Sequence, residues 1–495
     1  MSTEPGRYES ITRMAGLIAG PAIAMLVYLA PIPFPAAGER LLAAILAWVL
    51  CYWVTEPIPL PVTALFGATL CVLAGLAPAK IVFAPYAHPI VFLFIGSFLL
   101  AEALTVHGVD RRFAAWVLSL SWVGRHPFHM LLAVGGITAV ISMWISNAAT
   151  TALMLPIALG IVHSLPSSHS QKRDGYGSGL MLLLSYAATA GGLATPIGTP
   201  PNLIGLGMIA EQTGVTIPFA TWMMIGCPLA LVALLVACRL IWERHPMDSS
   251  VVGEFLQGFR EKQQPQGPWT RGQINTVVAF GTAVGLWLLP GFLAVVWGPA
   301  SPLARWTAQH LPNEVAAILA ASLLFVLPTG RTRGESTLSW RQAASINWGV
   351  ILLFGGGLAL GELMVRTGLS QSLGSGFVSL FGGQTLWSLT AVSILLAILV
   401  SELVSNTATA TMVIPLVIAI AQSADVSPIP PALGACLASS FGFALPTSTA
   451  PNAIVYGTGL IPLRQMIGSG LLFDLLGAVF IWLTLRVMCP LLQLL

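Results

Sequence analysis

Two stretches decide how this chain folds: SMWISNAATTALMLP at residues 142–156 and SELVSNTATATMVIP at 401–415. Each sets a Ser-Asn pair in the middle of a long apolar region. Ser and Asn are strong helix N-caps, and behind each pair the apolar pattern of a helix resumes. The surrounding segments are too long and too broken for one simple span. The pattern predicts two helical hairpins, over about 128–165 and 386–423, whose second arms begin at Ser146–Asn147 and Ser405–Asn406.

Composition supplies the solvent. Of 495 residues, 56% are hydrophobic and only 8% charged, with a mean hydropathy of +0.85. Soluble domains carry about 25% charged residues, so the chain is read as a polytopic membrane protein. Apolar runs of about 20 residues recur throughout, each long enough to cross a bilayer. About eleven crossings or partial crossings are expected, all helical, since a β-barrel would show short alternating segments. The first run, from near Arg13, has no cleavage pattern behind it and reads as a retained helix. The six cysteines lie in apolar surroundings without a CxxC pair and read as buried small hydrophobes.

Lys and Arg placement sets the orientation. With the N-terminus in the cytoplasm, 16 of the 21 Lys and Arg face inward, and the C-terminus falls outside. The expected location is the plasma (inner) membrane.

Residues 1–83 form an N-terminal block and 243–272 a polar cytoplasmic linker. The blocks 84–242 and 273–495 repeat each other. FLFIGSFLLAEALTVHG (92–108) matches LLFGGGLALGELMVRTG (352–368), pairing Glu102 with Glu362. The two Ser-Asn stretches match at an offset of 259. TPIGTPPNLI (195–204) matches LPTSTAPNAI (445–454) at 250. The drop in offset is assigned to a loop at 166–177 that is shorter in the second copy. Each Pro- and Gly-bearing motif should break its helix in mid-membrane, giving broken helices over about 178–210 and 430–460. The charge-derived topology puts the two hairpins on opposite sides, so the repeats are inverted, a plan common among secondary transporters.

The residues at the four breaks carry the chemistry. Ser142, Ser146, Asn147, Thr150, Thr199 and Asn202 recur as Ser401, Ser405, Asn406, Thr409, Thr449 and Asn452, with Thr407 added. No Lys, Arg or His lies among them, and Glu402 is the only acid. Neutral donors at positive helix ends suit a small anion. Hydroxyls, amide oxygens and freed carbonyls suit a hard cation. A site with both holds an anion together with cations that offset its charge. Glu102 and Glu362 read as structural pairing groups, with a proton relay as the other reading. His107, His126, His129 and His169 read as loop residues, and no histidines stand at transition-metal spacing. Serines without a neighbouring His or Lys base, repeated symmetrically, argue against an enzyme. The absence of a GxxxxGK[ST] loop argues against a chain-encoded ATP motor. No nucleic-acid partner or cofactor is expected.

SNAAT, SNTAT, TPIGTPPN and PTSTAPNAIVYGTG resemble the hallmark motifs of the divalent anion/sodium symporter family, over about residues 15–493. The resemblance implies an all-α, elevator-type transporter working as a homodimer in the lipid bilayer, with a scaffold domain and a moving transport domain. Carried over residue by residue, it implies that Ser146, Asn147, Ser405, Asn406 and Thr407 contact the substrate carboxylates and that Thr199 and Thr449 line the pocket. It likewise implies one sodium at Ser142, Ser146, Asn147 and the Gly198 carbonyl, and a second at Ser401, Ser405, Asn406 and the Ser448 carbonyl. Ala148 departs from the family's Ser-Asn-Thr and Ala450 from a common proline, which bears on substrate choice more than on class. The implied activity is sodium-coupled symport of small divalent anions, foremost C4-dicarboxylates such as succinate, malate or fumarate. The alternative is a sodium-independent exchanger on the same fold, which would be expected to place a fixed positive charge near the site.

Overall fold

The computed structural model describes residues 7–31, 34–120, 123, 126–163, 170–245, 267–298, 300–330, 335–381 and 385–495. Among them the regular structure is helical, apart from one isolated bridge between Pro328 and Ser336. Nine helices are long and apolar enough to cross a membrane, ten if the pair Pro302–His310 and Asn313–Val326, bent by 70°, counts as one span.

The chain opens with α1 (Arg7–Leu29), α2 (Ala37–Thr55) and α3 (Leu60–Leu73), and α4 (Pro89–Val106) begins the first repeat. The first hairpin is α5 (Pro127–Ser142) and α6 (Asn147–His163), and the first broken helix is α7 (Ser170–Leu193) with α8 (Pro200–Thr213). α9 (Phe219–Arg244) closes that half. The second half runs through α10 (Arg271–Trp297), α11 (Asn313–Val326) and α12 (Trp348–Thr367). Its hairpin is α13 (Leu386–Leu403) and α14 (Asn406–Ser423), its broken helix α15 (Ile429–Ala438) and α16 (Ala450–Tyr456), and its last helix α17 (Leu463–Leu491). Shorter helices link these elements.

Local chemistry sets the hairpin geometry. α5 ends at Ser142 and α6 starts at Asn147, with the Ser146 hydroxyl accepting from the Ala149 amide at 3.3 Å. α13 ends at Leu403 and α14 starts at Asn406, with Ser405 as the N-cap accepting from Ala408. In each hairpin the arms pack on each other.

Packing divides the molecule. One apolar cluster joins α2 and α3 to α12 through Leu42, Trp53, Cys71 and Leu360. A larger one spans α4 through α17, where Tyr186 of α7 stacks on Phe473 of α17 at 4.7 Å. The repeat relation survives in atomic detail. Gly226 of α9 lies against the Leu193 carbonyl, and Gly470 of α17 against the carbonyl of Phe443, the residue 250 positions on; a Cβ at either glycine would collide with that carbonyl.

Four details differ from the sequence reading. Residues 170–177 continue α7 instead of forming a loop, since a polar segment can extend a helix wherever its backbone bonds are made within the helix. α8 likewise runs on to Thr213. His129 lies within α5, and His126 caps it by accepting from the Phe128 amide; His107 caps the end of α4, and His169 lies outside the described residues. Four cysteines are buried, whereas Cys51 and Cys227 are half-buried. The linker expected at 243–272 lies mostly outside the described residues; residues 243–244 end α9 and Arg271–Gly272 begin α10.

Candidate functional site

The two hairpin tips carry the same hydrogen bond. Ser142 Oγ donates to Asn147 Oδ1 at 2.8 Å, and Ser401 Oγ to Asn406 Oδ1 at 3.0 Å. Both serines are fully buried. Each bond turns the asparagine, the first residue of its helix, toward the end of the preceding arm. Asn147 is also backed by Gly192, where an added Cβ would sit 2.5 Å from its Oδ1. Asn406 is held from another side, with Nδ2 donating to the Ser440 carbonyl at 3.3 Å.

The breaks are braced by a second repeated device. Asn202 Nδ2 donates to the Gly192 and Thr195 carbonyls, both at 2.8 Å. Asn452 Nδ2 donates to the Gly442 and Leu445 carbonyls at 2.9 and 3.0 Å. These partners are related by the offset of 250. A break frees carbonyls from the helix ladder, and a buried unpaired carbonyl is costly; one amide recovers two of them. The brace is not fully symmetric. Asn452 Oδ1 accepts from Ser185 Oγ at 2.5 Å, whereas Asn202 Oδ1 has no partner among the described residues. The position equivalent to Ser185 is Ala435.

The remaining predicted residues fall around these braces. Thr199 is the N-cap of α8 without a side-chain bond, and Thr449 caps α16 by accepting from the Asn452 amide at 3.2 Å. Ala450 is the first residue of α16. Ala148 and Thr407 occupy the same position, next after the asparagine, in α6 and α14. Four helices, α6, α8, α14 and α16, thus start at the breaks. The Thr150 and Thr409 hydroxyls, equivalent at an offset of 259, are buried without a hydrogen-bond partner among the described residues.

At the second break two acids bond to the freed backbone. Glu402 accepts from the Ala444 and Leu445 amides at 2.9 and 3.2 Å and from Ser448 Oγ at 2.8 Å. Asp474, in the middle of α17, accepts from the Phe443 amide at 3.3 Å. Glu402 is therefore not the only acid at the breaks, as the linear sequence indicates; folding brings Asp474 there from 31 residues away. The first repeat has Met143 where the second has Glu402. The signal for Asp474 was present as a lone acid in an apolar helix, LLFDLLGAVF.

The halves interlock. α8 packs on α14 and α15, and α16 packs on α6 and α7. A cavity of about 270 Å³ opens beside the first tip. Its wall takes Ser146, Ala149, Gly198 and Pro200 from the site and Ser97, Glu102, Thr105, Ser345 and Asn347 from α4 and the start of α12. Ser405, Asn406 and Thr407 are not among the described residues that line it. Glu362 does not mirror Glu102 in this; it pairs with Arg366 at 2.7 Å. Among the described residues no cluster of His, Cys, Asp and Glu could hold a metal ion.

Against known proteins, residues 11–495 match the family described as the sodium:sulfate symporter transmembrane region. The chain is 32% identical over 500 residues to the sodium-dependent dicarboxylate transporter SdcS of Staphylococcus aureus strain USA300, covering 97% of this chain and 92% of that protein. The SdcS protein of strain bovine RF122 / ET3-1 matches to the same extent. Among solved structures, the Alcanivorax borkumensis YdaH transporter superposes with a TM-score of 0.54 at 13% identity, over 99% of both chains. Neisseria gonorrhoeae MtrF gives 0.52 at 13% identity, over 98% and 95%. At that identity the structural likeness concerns the fold.

Proposed function

This chain belongs to the sodium:sulfate symporter family, whose members are membrane transporters and not enzymes, and on that premise we propose that it is a sodium-coupled symporter of C4-dicarboxylates. The observation that carries the reading is the duplicated tip: two buried Ser-to-Asn hydrogen bonds, each at the start of a helix and each beside a braced break. Such a site offers helix N-termini and neutral donors to carboxylates, and hydroxyl, amide and carbonyl oxygens to sodium.

In this reading Ser146, Asn147, Ser405, Asn406 and Thr407 receive the two carboxylates, with Thr199 and Thr449 beside them. Ser142, Ser146, Asn147 and the Gly198 carbonyl take one sodium; Ser401, Ser405, Asn406 and the Ser448 carbonyl take the other. The buried Thr150 and Thr409 hydroxyls fit as further oxygen donors near each. Sodium binds first and offsets the cargo's two charges, so no fixed cation is needed. The transport domain, built on the two hairpins and broken helices, then moves against a scaffold that includes the N-terminal helices α1–α3. The N-terminus faces the cytoplasm, the C-terminus the outside, and two copies pair through their scaffolds.

The test is uptake of labelled succinate by proteoliposomes with and without an inward sodium gradient. Uptake that ignores sodium, or that requires succinate preloaded inside, rejects sodium symport in favour of exchange.

A further inference from the structure

The cavity beside the first tip contains one feature that the transport reading leaves unused. Glu102 is the only charged side chain among its described lining residues. It is half-buried and makes no hydrogen bond or ion pair with any described residue. On the same wall the Ser97 hydroxyl is buried and also unpartnered. Glu362, the repeat mate of Glu102, has its charge met by Arg366. An unpaired carboxylate in a cavity that adjoins a proposed anion contact, Ser146, acts on a nearby anion by repulsion.

We propose that Glu102 is the charge selector of this transporter: it admits cargo with two negative charges and penalises a third. The inference rests on the dicarboxylate reading above. Two cargo charges are offset at the tips by sodium and helix ends, on the side of Ser146 and Gly198. Glu102 lines the same cavity as Ser146 and Gly198, where Ser345 and Asn347 supply only neutral donors, so a third carboxylate held in that cavity shares it with the Glu102 charge. A cavity of about 270 Å³ is roughly 8 Å across if round. Two like charges inside such a cavity lie no farther apart than about that width and, at an effective dielectric constant of about 20, disfavour binding by about thirtyfold or more. Specificity of this kind comes from a repulsive element against the wrong partner.

The experiment uses the full chain in nanodiscs with saturating sodium at about pH 7.5. Apparent Kd values for succinate and for citrate, the trivalent probe, are read from thermal shifts, alongside sodium-driven succinate uptake in proteoliposomes. The expected result is that the citrate-to-succinate Kd ratio falls tenfold or more in Glu102→Gln. It should return to the wild-type value in Glu102→Asp and stay there in Glu362→Gln. A ratio within twofold of wild type in Glu102→Gln overturns the proposal, as does an equal fall in Glu362→Gln, which would show a diffuse effect of charge. Loss of succinate uptake in Glu102→Gln but not in Glu102→Asp also overturns it, by making the charge a requirement of the cation. If wild-type uptake is sodium-independent while the ratio responds as expected, the symport reading fails and the selector stands. If wild type binds neither anion, both fail.

Discussion

Replacing Asn452 by Ala tests the brace at the second break. The side chain is fully buried and takes part in three hydrogen bonds: Nδ2 to the Gly442 and Leu445 carbonyls and Oδ1 from Ser185. A net hydrogen bond contributes about 0.5–1.5 kcal/mol in proteins generally and about 0.6 kcal/mol between membrane helices. Asn452→Ala should therefore cost about 2–4 kcal/mol. Asn202→Ala removes two bonds and should cost about 1–3 kcal/mol, because its Oδ1 has no described partner. Ser185→Ala alone should cost about 1 kcal/mol, and almost nothing when added to Asn452→Ala. Asn452→Asp should be worse than Ala, since a carboxylate oxygen would face two carbonyls. The assay is reversible unfolding in lipid, with sodium-dependent succinate binding measured in parallel. An Asn202→Ala variant less stable than Asn452→Ala, or an Asn452→Asp variant as stable as wild type, would show that these amides do not hold the breaks.

Three further outcomes follow from named contacts. Gly192→Ala should push Asn147 aside, because the new Cβ would lie 2.5 Å from its Oδ1; sodium-dependent succinate binding should weaken at least tenfold, about 1.4 kcal/mol, while Gly136→Ala, which meets nothing within 4 Å, binds as wild type. Glu402→Gln should destabilise the second break by about 1–3 kcal/mol, because a gained NH₂ must face amide or hydroxyl donors now met by carboxylate oxygen; equal thermal stability of variant and wild type would refute this. His245, just past the end of α9, is held below its ordinary pKa of 6.5 by burial, and in the fold its Nδ1 lies 2.8 Å from the Gly175 carbonyl. The unfolded chain then binds the proton more readily, so this contribution is complete above about pH 6.5 and is lost as pH falls toward the lowered value. Thermal stability should drop on acidification to about pH 5.5, and the drop should shrink in His245→Gln.

The sequence by itself determined the class, the repeats and the places where helices begin. Few charges, long apolar runs and N-capping Ser-Asn pairs are local properties, and local propensity alone puts helix starts at Ser146–Asn147 and Ser405–Asn406. The breaks beside Asn202 and Asn452 were legible because the Pro and Gly there must free backbone groups. Tertiary structure decided which groups meet those freed atoms. Ser185 reaches Asn452 across 267 residues, and Asp474 reaches Phe443 from another helix. Nor does the repeat pattern distinguish Glu102 from Glu362: in sequence they are equivalents, yet one lines the cavity and the other pairs with Arg366. Periodicity fixes which residues share a helix face. What stands opposite that face depends on the packing of helices distant in the chain, and no local signal records it.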